Sequence, residues 1–127
     1  MDPQKRIDKI LDAAEARAQE EVGGLLGADF ELVSDSRIIC SKEAVFDELS
    51  GKQVCAQMEV VGEVTGLGCL LIGIKDAIRL GGTLIMLPPS ELEEAIGREE
   101  YGEEVEDSYG EIANIIAGSF TTSFEEM

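Results

Sequence analysis

The sequence predicts an α/β (α+β) fold, an antiparallel sheet flanked by helices, and three observations carry that expectation. Apolar residues recur at three- and four-residue intervals from Ile7 to Leu25, the repeat of an amphipathic helix. Across residues 53–64 the repeat shortens to two, and after a glycine-rich break an apolar run follows at 68–74, as in a hairpin. Near the C-terminus, the apolar and small-residue stretch 108–120 is interrupted by one acid and one amide, Glu111 and Asn114. Three positions apart, they share a helix face.

The first element is the helix over 1–26, entered at Pro3, with Ile7, Ile10, Leu11, Ala14, Ala18, Val22 and Leu25 on its apolar stripe. Gly23, Gly24 and Gly27 weaken its end. Residues 30–33 and 37–40 are short candidate strands about a Ser-Asp-Ser turn, and 42–49 forms a brief helix stopped by Ser50 and Gly51. In the hairpin over 53–74, Val54, Ala56, Met58 and Val60 alternate with Cys55, Gln57, Glu59 and Val61. Residues 69–74 are apolar on both faces, as in a central strand. The glycine-rich run 62–68 joins two strand patterns, so it reads as a turn and not as a phosphate-binding loop.

A helix over 75–86 follows despite Gly81 and Gly82, and Pro88 and Pro89 end it. Ser90 opens a short acidic helix, and acidic residues lead into the motif helix over 101–127. Two starts are open for that last helix. If it begins at Ser108, then Ser108 and Glu111 form a capping box and Glu111 folds back onto its own backbone. If it begins near 103–105, Glu111 is mid-helix and free to meet a partner. Glu125 and Glu126 put two acids where a helix presents its negative end, with no glycine or basic cap. The expectation is a fold incomplete at the C-terminus, continued in a longer protein or completed by another chain.

Size and charge narrow the function. A chain of 127 residues makes one domain, 1–127, able to bury a core without metals or disulfides. With 10 basic and 27 acidic residues the formal charge is −17, which argues against nucleic acid and anionic membranes as partners. No run approaches the ~18 apolar residues of a membrane span, and the N-terminus lacks a signal-peptide core, so a cytoplasmic location is expected. There is no histidine, and Cys40, Cys55 and Cys69 show no Cys-x-x-Cys pairing. That argues against zinc and removes Ser-His-Asp and Cys-His catalysis. Cys55 and Cys69 are expected to be small buried hydrophobes. Any chemistry must rest on carboxylates, amides, hydroxyls or a partner's groups.

The order of elements resembles the CheC, CheX and FliY group, relatives of the middle domain of the flagellar switch protein FliM. The resemblance covers residues 20–127. It is anchored on Glu21-Val22-Gly23, on 25–31, on the hairpin entering 74–77, and above all on 107–119. That last segment is similar to the family's phosphatase signature: Asp or Ser, three residues, Glu, two residues, Asn, with a proline much later. Asp107, Glu111 and Asn114 fill the first three places, and the chain stops before the place of the proline. A second copy of the motif, carried by some members on the first helix, has Glu21 here but Gly24 where asparagine belongs, so one site is expected.

The resemblance implies an α/β fold of two similar halves, of which this chain holds the first half and the helix opening the second. It implies removal of phosphate from the aspartate of a CheY-like response regulator. Asn114 would orient the attacking water and Glu111 would pair with the receiver's lysine, with Asp107, Ser108 and Gly118 at the contact. No cofactor of the chain's own is implied; the Mg²⁺ belongs to the receiver. CheD-like or flagellar switch proteins are further partners on this resemblance, and unpaired strand edges suit a homodimer. The alternative is a non-catalytic switch-like or signalling scaffold subunit of the same fold, favoured by the degenerate first site.

Overall fold

The computed structural model describes residues 2–62 and 65–126. Helix α1 spans Pro3–Leu26. Asp2 caps it, accepting from the Gln4 backbone N–H, and proline stands at its first turn, where the lost donor costs nothing. Gly27 ends it in the left-handed conformation at φ 65°. Its buried stripe is Ile10, Ala14, Ala18 and Val22, at the spacing the sequence predicts. After α2 (Lys42–Glu48), strands β1 (Gln53–Val60) and β2 (Gly66–Gly73) pair antiparallel, from Gln53 opposite Gly73 to Val60 opposite Gly66. Glu63 and Val64, which the expected strand and turn include, lie outside the described residues.

Helices α3 (Ile74–Leu84), α4 (Pro89–Arg98) and α5 (Glu103–Glu125) complete the chain. One core cluster joins Ala18 and Val22 of α1, Ala77 of α3 and Tyr109, Ile112, Ala113 and Ile116 of α5, with the hairpin's Val54, Ala56, Leu70 and Ile72 packed against it. A second joins Ile78, Ile96 and Val105. Adjacent residues of α3, Ala77 and Ile78, thus serve the two clusters. The glycines inside α3 have a packing cause: a Cβ on Gly81 would stand 2.6 Å from the Val105 carbonyl oxygen, and one on Gly82 2.5 Å from Leu92 Cδ1. The architecture is therefore α+β, five helices and a two-stranded antiparallel sheet among the described residues. No helix among them is long and apolar enough to cross a membrane.

Three expectations are corrected. Residues 30–33 and 37–40 form no strands; 29–41 is irregular. Arg37 holds this segment to α1 by ion pairs to Asp8, Asp12 and Glu15, and the Gln19 side chain accepts from the Leu32 N–H, so side chains bind it where a sheet would use backbone. Secondly, β2 is not central, because only β1 pairs with it among the described residues. Thirdly, Cys55 and Cys69 are exposed. The register sets them diagonally on the hairpin's outward face, which no helix covers. The Cys55 thiol is nevertheless pushed up from its usual value, first by partial desolvation and then by the neighbouring Cys69.

Candidate functional site

Helix α5 begins at Glu103, with Glu103, Glu104 and Glu106 in its first turn, where the dipole favours negative charge. That start decides between the two readings of its polar residues. Ser108 and Glu111 form no capping box, and Glu111 is two turns inside the helix. At about 100° per residue, Asp107, Glu111, Asn114 and Gly118 fall within roughly 60° of arc. The buried residues Val105, Tyr109, Ile112 and Ile116 lie on the far side.

Asp107, Glu111 and Asn114 are exposed, and among the described residues neither Glu111 nor Asn114 has a side-chain hydrogen bond or ion pair. Ser108 stands apart from them. It is 8% exposed and turned toward the core, so the structure does not bring it onto this face.

The neighbours of Asn114 one turn away in each direction are Gly110 and Gly118. A Cβ at either would meet nothing within 4 Å, so no close backbone approach among the described residues accounts for Gly118. Each glycine inside a helix costs about 1 kcal/mol against alanine, and here no internal packing offsets it. The result is a lowered stretch of helix from which the Asn114 carboxamide projects, with Glu111 beside it. Sequence reasoning singled out Gly118 and missed Gly110, although the even spacing of both about Asn114 is legible in the sequence.

A groove of about 370 Å³ between α1 and α5 borders this face, lined by Arg17, Glu21, Gly118, Ser119 and Glu126 among others. Here the acidic end of α5 finds the cation its own sequence lacks: Arg17 pairs with Glu126 at 2.9 Å. Ser119 Oγ donates to the Ile115 carbonyl at 2.8 Å and lies 3.4 Å from Glu21 Oε2. Glu21 is thus engaged by α5, and a Cβ at Gly24 would meet nothing within 4 Å among the described residues.

Asn114, Glu111 and Asp107 give the α5 face one neutral donor–acceptor and two carboxylates. Such a set can orient a water and pair with a cation, and it cannot act as a covalent nucleophile pair of the serine–histidine kind. Comparison with protein-family models, with curated proteins and with solved structures gives no match.

Proposed function

We propose that this chain is a CheC-like, chemotaxis-type phosphatase that hydrolyses the aspartyl phosphate of a CheY-like response regulator. The observation that supports this most is the placement of Asn114, exposed in mid-helix between two open glycines with Glu111 on the same face. A residue that must enter another protein's phosphorylated cleft needs low surroundings, and Gly110 and Gly118 provide them.

In the proposed reaction a water attacks phosphorus in line, the bond from phosphorus to the receiver's aspartate oxygen breaks, and inorganic phosphate and a free carboxylate result. The receiver brings its own Mg²⁺ and lysine. Asn114 contributes position: its carboxamide oxygen accepts from the water and its N–H₂ donates toward phosphoryl oxygen, without adding a charge that would repel the phosphate. Glu111 stays near the phosphoryl group only because the receiver's lysine offsets its charge. Asp107 and Gly118 lie at the edge of the contact. Ser108, turned inward, has no part in it. On this reading the chain works in the cytoplasm alongside its receiver.

The test is phosphate release from a phosphorylated CheY-like receiver with and without this protein. Wild type shortens the phosphoryl lifetime, and Asn114→Ala loses on the order of 10²-fold of that acceleration. An unchanged lifetime with wild type removes the phosphatase reading. Binding of the receiver without hydrolysis would move the chain to the scaffold alternative.

A further inference from the structure

Strand β2 has the composition of an interior strand and the position of an edge. Leu70 and Ile72 turn into the core, while Leu67, Cys69 and Leu71 turn outward, Leu67 being 89% exposed. Strands apolar on both faces normally have neighbours on both sides. Along β2 lies a cleft of about 460 Å³, lined by the three consecutive residues Leu70, Leu71 and Ile72. Because successive side chains alternate faces, a cavity touching all three runs along the strand's edge and not over one face. Phe30 and Val33 of the irregular segment line the same cleft.

Two further features say what the cleft accepts. Tyr109, which also lines it, is 2% exposed, and its hydroxyl has no hydrogen-bond partner among the described residues. A buried hydroxyl left so is unfavourable, and an occupant with a polar group would relieve it. The charge is also unbalanced. Of the charged residues lining the cleft, Arg79 is taken by Glu93 and Glu15 by Arg37, each at 3.1 Å. Glu31 and Asp76 have no ion pair among the described residues.

We propose that this cleft binds an extended peptide segment, apolar at alternate positions and carrying a basic residue, which pairs with β2 as a third strand. Backbone pairing supplies affinity, the apolar walls select the alternating side chains, and Glu31 and Asp76 select the cation. Once the segment displaces the side chains that seal it, the Tyr109 hydroxyl donates to one of its carbonyls. Tyr109 and Ile116 sit on the opposite side of α5 from Asn114, so an occupant here leaves the Asn114 face uncovered.

The experiment is fluorescence anisotropy on the full chain with a labelled seven-residue peptide alternating valine and threonine and ending in lysine. Saturable binding is expected, weakened at least tenfold when the peptide's alternate backbone amides are N-methylated. Glu31→Lys combined with Asp76→Lys should reverse the preference toward a peptide ending in glutamate. Tyr109→Phe should weaken binding while raising the melting temperature, a pair of effects that mere misfolding would not produce. Three outcomes would overturn the proposal: no saturable binding, indifference to amide methylation, or a dimer of this chain that excludes the peptide and so assigns the edge to a second copy.

Discussion

Tyr109 carries two opposed roles. Its side chain belongs to the main core cluster, and its hydroxyl is buried without a hydrogen-bond partner among the described residues. Burial, with Tyr101 nearby, pushes its pKa up from 10 to about 12. The folded chain therefore keeps this proton at a pH where the unfolded chain has lost it. The stabilising preference is complete below pH 10 and is lost as pH rises through about 12, at roughly 1.4 kcal/mol per unit of displacement. Chemical denaturation across that window should show stability falling in wild type and a shallower fall in Tyr109→Phe. At neutral pH the same substitution should raise the melting temperature. Gly110→Ala and Gly118→Ala make a complementary pair. Each should stabilise the isolated chain by about 1 kcal/mol through helix propensity, read by thermal melts; on the proposed function each should also reduce phosphatase acceleration by obstructing approach to Asn114. At this scale the sequence placed Glu111 and Asn114 together because a three-residue step on a helix has one outcome. It could not place Cys55 and Cys69. Alternation tells which side chains share a face of a strand, and only tertiary packing tells which face is covered.

Among the elements, α3 shows how a local anomaly becomes a contact. Gly81 and Gly82 weaken the helix by composition, yet α5 packs against the first and Leu92 of α4 against the second with no room for a Cβ. Gly81→Ala would press its methyl against the Val105 carbonyl and the Tyr109 backbone nitrogen, so a loss of about 1–3 kcal/mol is expected in urea titrations. Glycine alone does not say whether it marks a break or a close approach, which is why this helix was legible and its packing was not. Segment 29–41 teaches the reverse. Its apolar and β-branched residues resemble strands, but Arg37 is shared among three acids of α1, and Asp12 and Glu15 hold the guanidinium proton more firmly than usual. Arg37→Ala should release the segment locally. Amide exchange across 29–41 should quicken about tenfold or more, while the global melting temperature changes little.

For the whole molecule, the net charge of −17 is the governing quantity. Self-repulsion of that size opposes the compact state, so raising salt from about 10 mM to 150 mM should raise the melting temperature. The receiver of the proposed function presents acids around its phosphorylation site, so the same titration should strengthen a complex with it. Composition made this scale readable from the start, and the mixed helix-and-hairpin class with it. The extent of the sheet was not readable, because β2's two apolar faces promise neighbours without naming them. That exposed margin has a consequence for handling. Leu67 and Leu71 present no charge of their own to keep a second molecule from stacking, so solubility rests on repulsion between whole molecules. Close to the isoelectric point of about 4.1 that repulsion vanishes, and hairpins should template one another into cross-β fibrils that bind thioflavin T. Replacing Leu71 by lysine should delay their nucleation.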